Sequence, residues 1–290
     1  MMKHRIGPAL FVAAALTALF AVFGAASAMA TPTGEYAVFA DCPLSHRPLS
    51  TCIVSKTISG EITLGKQGVP IVATQTLQGG FSGTGESTKF VGVETGETFS
   101  KTAQKVPGGL LGLVKCNEIT GNGFFEWLAR TSCELVFENK TTGVNATTEL
   151  AAPASSIKLN EEALLGQTGT GLTLPVKVKL ENPLFGEECY VGSNAEPITL
   201  KLTSGTSGSL KGKLGELGER AEGGILVIKN NTLVDSGFSA PEATGCGGVF
   251  SFLLDPIIDA KIGLPTSSNK AVLNNTIEQA GRLVIEEFGE

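Results

Sequence analysis

Leu172-Thr173-Leu174-Pro175-Val176-Lys177-Val178-Lys179-Leu180 decides the fold class of this chain, because apolar and polar side chains alternate with the period of two that marks a strand with one buried face. The same alternation recurs at Glu61-Ile62-Thr63-Leu64, Thr88-Lys89-Phe90-Val91-Gly92-Val93, Cys133-Glu134-Leu135-Val136-Phe137 and Ile198-Thr199-Leu200-Lys201-Leu202. Glycines punctuate these runs at Gly79-Gly80, Gly83, Gly85, Gly108-Gly109, Gly121-Asn122-Gly123, Gly205 and Gly208, and supply the positive φ angles of tight turns. Strands this short and this regularly interrupted predict antiparallel sheets rather than βαβ units. The expected class is all-β, an antiparallel sandwich or a curled barrel-like sheet, with one or two short helices.

Two stretches depart from the strand pattern. Glu161-Glu162-Ala163-Leu164-Leu165 behind Asn160 predicts one helical turn with an N-cap, and Val249 to Ile262 predicts a helix broken or kinked at Pro256, with Pro265 stopping any continuation past Gly263. Ala151-Ala152-Pro153-Ala154-Ser155-Ser156 has the composition of a linker, but strand alternation resumes at Ile157-Lys158-Leu159, so residues 151–156 read as a loop between strands. Residues 31–290 are expected to form a single β-rich unit, with 151–156 as the one place it could divide.

The N-terminal segment carries an address. Lys3, His4 and Arg5 precede an apolar run from Ala9 to Ala26 and then Ala28-Met29-Ala30, the layout of a secretory signal peptide over residues 1–30. Cleavage is expected before Thr31, or before Met29 if Ala26-Ser27-Ala28 is read instead; the alternative is an uncleaved anchor. With Lys3 and Arg5 removed, 20 basic residues stand against 28 acidic ones, a formal charge of −8. A mildly acidic chain with no cluster of cations has nothing to displace counterions from a phosphate backbone, so no nucleic-acid partner is expected. No transmembrane span is expected after cleavage, and the predicted location is extracellular or in the cell envelope.

Six cysteines lie beyond the signal: Cys42, Cys52, Cys116, Cys133, Cys189 and Cys246. An even number in a chain bound for an oxidising compartment predicts three disulfides. Six cysteines allow fifteen pairings; we favour the sequence-adjacent set, Cys42 with Cys52, Cys116 with Cys133 and Cys189 with Cys246, because it closes short loops around turn-like segments.

Three strings, Val106-Pro107-Gly108-Gly109-Leu110-Leu111-Gly112, Asn182-Pro183-Leu184-Phe185-Gly186-Glu187-Glu188-Cys189-Tyr190-Val191-Gly192-Ser193 and Gly245-Cys246-Gly247-Gly248, resemble recurring elements of uncharacterised secreted proteins from high-GC Gram-positive bacteria. The resemblance spans residues 31–290 and implies one structural unit. That family carries no established activity, so the resemblance transfers no site residue.

No motif identifies a reaction. Gly60-Glu61-Ile62-Thr63-Leu64-Gly65-Lys66-Gln67 is one residue short of a phosphate-binding loop, but Gly68-Val69-Pro70 stands where a helix must begin, which predicts a hairpin. His46, the single histidine after the signal, sits beside Ser45 in the short loop between Cys42 and Cys52. Adjacent residues align poorly as nucleophile and base, no Gly-x-Ser-x-Gly elbow occurs, and one histidine without paired cysteine spacing cannot build a usual zinc tetrahedron. The remaining reactive groups are carboxylates: Glu161-Glu162, Glu187-Glu188, Glu286-Glu287, and Asp255 with Asp259, which share a face if the intervening segment is helical. No Asp-rich calcium loop accompanies them. Phe124-Phe125-Glu126-Trp127-Leu128 is the densest aromatic patch, expected as a core strand with Trp127 buried, and otherwise as a partner surface.

The functional expectation is therefore a secreted or envelope protein that acts by binding or as a structural element, with no catalytic residue, cofactor or metal assigned. Its partner is an unidentified envelope component or a small apolar ligand. The alternatives are a secreted hydrolase using carboxylates and an oligomeric β-barrel pore, the latter short of the Trp and Tyr that aromatic girdles require.

Overall fold

The computed structural model describes residues 31–83, 88–109, 123, 127 and 143–289. Sixteen strands lie among the described residues. The first eight are β1 (Leu49–Leu64), β2 (Gln67–Ile71), β3 (Gln75–Ser82), β4 (Lys89–Gly92), β5 (Ala103–Lys105), β6 (Asn145–Leu150), β7 (Lys158–Leu159) and β8 (Leu172–Glu181). The rest are β9 (Tyr190–Val191), β10 (Ile198–Leu202), β11 (Thr206–Ser207), β12 (Leu210–Lys211), β13 (Glu216–Arg220), β14 (Ile225–Ser236), β15 (Ala243–Thr244) and β16 (Lys270–Gly281). Three short α-helices lie wholly among the described residues: α1 (Glu161–Gly166), α2 (Ser251–Ile262) and α3 (Arg282–Phe288).

Every pairing is antiparallel. One sheet runs β13-β14-β16-β1-β3-β4, with β2 folded back on the second half of β1; the other runs β15-β9-β8-β6-β5, with β7 and β10 also on β8. Neither closes into a barrel. The two share one hydrophobic cluster, to which the first contributes Ile53, Leu77, Phe81, Leu273 and Ile277 and the second Leu174, Val176, Val178 and Leu200. An apolar cavity of about 20 Å³ remains between them, lined by Ile53, Phe81 and Phe90 from one side and Leu159 and Leu172 from the other.

β8 shows why alternation dictates this arrangement. Leu172, Leu174, Val176, Val178 and Leu180 are buried while Thr173, Lys177, Lys179 and Glu181 keep partial exposure. Pro175 breaks the alternation inside a central strand, where a missing amide is usually intolerable. β6 pairs with β8 only from Val176 onward and β7 only up to Thr173, so Pro175 faces the gap between them. Its carbonyl accepts from Ala151 across that gap, where the 151–156 loop runs, and no ladder amide is demanded there.

Backbone freedom matters most at Gly60, the point where β1 exchanges β3 for β2 as its neighbour. Its φ is +142°, and a Cβ there would stand 2.1 Å from the Val272 carbonyl oxygen of β16. Nearby, the register of β16 shifts against both flanking strands, between Thr57 and Ser59 on β1 and between Ile228 and Asn231 on β14. Buried Thr57, Asn275 and Asn231 lie level at this step, with Thr57 Oγ1 donating to Asn275 Oδ1 at 2.5 Å and Asn231 Nδ2 to the Leu214 carbonyl at 2.8 Å. A slip in pairing would strand these groups, so they fix the register.

Cys42 pairs with Cys52 and Cys189 with Cys246, as the adjacent scheme predicts. Cys116 and Cys133 lie outside the described residues, as do Phe124 to Glu126 and Leu128. Two disulfides are compatible with an oxidising compartment, and no helix among the described residues is long and apolar enough to cross a membrane.

Two expectations are corrected, and one helix is added. Trp127 is 59% exposed, and its amide donates to Gly123 four residues back, a helical bond where a buried strand was expected. α2 continues unbroken through Pro256. The proline, sixth of the twelve residues, withholds one amide in the middle of the helix, while Asp255, Ile258, Asp259 and Ile262 anchor the helix along its length. α3 is not among the helices expected from the sequence; its first turn is held by Arg282, which bonds Glu286 at 2.6 Å and the Leu49 carbonyl at 3.1 Å.

Candidate functional site

The reactive residues singled out from the sequence are brought into the fold as structural parts. Asp255 and Asp259 do share a face of α2, and both serve the loop that carries Cys246. Asp255 accepts the amides of Cys246 and Gly245 at 2.8 and 3.1 Å, and Asp259 accepts that of Ala243 at 2.7 Å. Ser45 donates to Glu94 rather than to His46, and His46 is exposed. Gly60 to Gln67 is the β1–β2 hairpin. Asn160 caps α1 by accepting from Ala163 at 2.9 Å; Glu161 in its first turn accepts from Gln279, and Glu162 is exposed. Glu187 and Glu188 are exposed, Glu286 is held by Arg282, and Glu287 is exposed. Among the described residues no cluster of three or more His, Cys, Asp or Glu could hold a metal ion.

Burial raises the carboxyl pKa of Asp259, against the Ala243 hydrogen bond, with the charges of Glu242 and Asp255 adding to the rise. Burial likewise raises Asp235 of β14, opposed by amide bonds from Lys201 and Ser236 and by the Lys201 charge. Both groups hold a proton more tightly folded than unfolded. Their contribution to stability is therefore full below the unfolded carboxylate pKa of about 4 and is lost as pH rises through the raised folded value. Asn at either position keeps an acceptor oxygen without the buried charge. Urea unfolding from pH 4 to 7 is expected to show the difference between wild type and the Asp235→Asn, Asp259→Asn double variant moving in favour of the variant as pH rises; a difference independent of pH would contradict this.

A cleft of about 550 Å³ opens on the opposite face of the first sheet from the shared core. Its walls come from three short segments: the 3-10 helix Gly34–Phe39, the turn after β13, and α3. They pack on this strand face, where Tyr36, Phe39, Cys52, Val54, Ile225 and Ile285 are buried outside the core shared by the two sheets. Thr33 anchors the entry segment, its amide and hydroxyl both donating to the Gly289 carbonyl, at 2.6 and 3.2 Å.

The turn is unusual. Ala221, Glu222 and Gly223 have φ of +51°, +54° and +91°, so two non-glycine residues sit in the left-handed region, at a cost of about 1–3 kcal/mol each. Glu35 holds the turn, accepting the Ala221 amide at 3.0 Å, and Arg220 lies behind it, 3.7 Å from Glu35 and 2.6 Å from Glu278. Gly224 completes the wall: a Cβ there would lie 2.1 Å from the Tyr36 hydroxyl. Tyr36 is only 5% exposed, yet no partner for its hydroxyl exists among the described residues. Val284 and Phe288 of α3 supply the apolar side, with Phe288 63% exposed.

The cleft combines a preformed concavity, aromatic surface and a few convergent polar groups, the usual make-up of a small-molecule site. Sequence reading missed it because Glu35, Tyr36, Glu222 and Phe288 are distant along the chain; the signals available were the scarcity of tyrosine, two in the whole chain, and the Ala221-Glu222-Gly223-Gly224 turn. Compared with known family models, curated proteins and solved structures, the chain matches none of them. Fold and cleft together define an antiparallel β protein of two large sheets and a two-stranded β11–β12 ladder, with a surface cleft.

Proposed function

We propose that this chain is a secreted or cell-envelope protein that works by binding, with the cleft between the Gly34–Phe39 helix, the 221–224 turn and α3 as its recognition site. The observation that carries this reading is the Tyr36 hydroxyl, which opens onto the cleft from an otherwise buried side chain and has no protein partner among the described residues, leaving it free to bond a ligand. The resemblance to secreted proteins of high-GC Gram-positive bacteria, the disulfides and the signal-like first thirty residues support an extracellular or envelope location. A hydrolytic role draws less support, because Asp255 and Asp259 are occupied by loop amides.

Amide chemical-shift mapping of the exported chain against small neutral, cationic and anionic fragments tests the reading. Binders are expected to move Glu35, Glu222, Gly223 and Gly224. Turnover of a glycan, peptide or ester that disappears in Asp255→Asn or Asp259→Asn protein with the fold intact would overturn it.

A further inference from the structure

Resting on that reading of the site, we infer that the cleft selects an organic cation, an ammonium group carried on an apolar body. The polar lining is rich in acceptors and carries negative charge. Glu35 and Glu222 contribute carboxylates, the Thr33 hydroxyl has spent its proton on Gly289, and the Tyr36 hydroxyl is uncommitted. Among the described residues no Lys or Arg lines the cleft. Arg220 stands outside the lining and pairs with Glu278 and Glu35, so it offsets part of the Glu35 charge and leaves Glu222 as the carboxylate of the lining with no partner among the described residues.

The charges on neighbouring elements reinforce the sign. Glu219 lies on β13 close to Gly223, and Glu287 is on α3, whereas Arg282 of α3 is paired with Glu286. A neutral hydrogen-bonding ligand would gain from donors on the wall, and an anion would require them; an ammonium needs acceptors alone. Phe288 completes the match, since an exposed ring on the wall of an acidic cleft attracts a cation through its face while accepting an apolar body.

Cation recognition gives the left-handed Ala221-Glu222-Gly223 turn a purpose. The turn places Glu222 at the cleft rim and lets the backbone at Gly224 approach the Tyr36 hydroxyl, which a residue with a side chain could not do. Strain is thus spent on bringing a carboxylate and a hydroxyl to one cavity from opposite walls.

Three probes of nearly equal size separate charge from shape: phenethylammonium, 2-phenylethanol and 3-phenylpropionate, titrated into the exported chain with amide shifts as the readout. Phenethylammonium is expected to bind at the cleft about tenfold more tightly than 2-phenylethanol, with 3-phenylpropionate weakest, and the advantage of the cation should shrink as salt is raised. Glu222 is exposed, so Glu222→Gln should fold normally and cut the cation's advantage to about threefold or less. Tyr36→Phe should weaken phenethylammonium while leaving the unfolding midpoint of the free protein unchanged, because the hydroxyl it removes has no partner. Equal affinity for phenethylammonium and 2-phenylethanol at the cleft would overturn the cation inference and leave the site standing. Absence of cleft shifts with all three probes would overturn both.

Discussion

Replacing Cys189 and Cys246 together with alanine is expected to lower the unfolding free energy of the exported chain by about 4 kcal/mol, the figure loop closure gives for a bridge spanning 57 residues. That bridge ties the start of β9, which lies between β15 and β8 in the second sheet, to the loop that Asp255 and Asp259 hold against α2. Both sulfurs are buried, so the alanines also lose packing. Removing the Cys42–Cys52 bridge, with a separation of 10, should cost about 3 kcal/mol by the same model. Urea unfolding of the two alanine pairs, each against wild type, checks both values. A loss below about 1 kcal/mol for the longer bridge would mean that the unfolded chain is little constrained by it and that α2 is held by other contacts.

Phe81→Ala should be comparably damaging, at about 3–5 kcal/mol. Phe81 stacks edge-on against Phe90 across the β3–β4 pair, with ring centres 5.3 Å apart, and both rings reach the cavity where the two sheets meet. Truncation would enlarge a void that Leu159 and Leu172 can fill only by moving the second sheet. Thermal and denaturant unfolding followed at two wavelengths provide the test. A loss under about 1 kcal/mol would contradict a shared core, since an isolated edge strand would tolerate the change.

Much of the fold was legible because the sequence signals were local. Alternation over nine residues located β8 and the shorter runs located β4 and β10; Asn160 ahead of two glutamates located α1. The cysteine spacing also gave the two described disulfides. What failed were signals that depend on tertiary surroundings. α2 survives Pro256 because its aspartates bond the loop just ahead of it, at Ala243 to Cys246, outside the stretch from Val249 to Ile262 that was read as helix. Trp127 was placed inside on size alone, and size does not determine burial. α3 was invisible because β-branched residues favour a strand, while the Arg282 bond to Leu49 that fixes its start spans most of the chain.

The candidate site was less legible still. Carboxylates attract attention in a sequence, yet Asp255 and Asp259 proved to be fastenings. The cleft draws on residues from positions 33 to 36, 221 to 224 and 284 to 288, joined only when the 3-10 helix and α3 settle over Cys52 and Ile225. Its clearest mark, a tyrosine hydroxyl without a partner, is a property of the folded chain.

A high-resolution crystal structure of the exported chain, grown without and with phenethylammonium, tests the binding role of the cleft most directly. The cleft is expected to be open in both, with the Tyr36 hydroxyl meeting solvent in the first and ligand in the second, and the ammonium within hydrogen-bonding reach of Glu35 or Glu222. A cleft closed by protein side chains, with the Tyr36 hydroxyl bonded to the chain itself, would contradict that role.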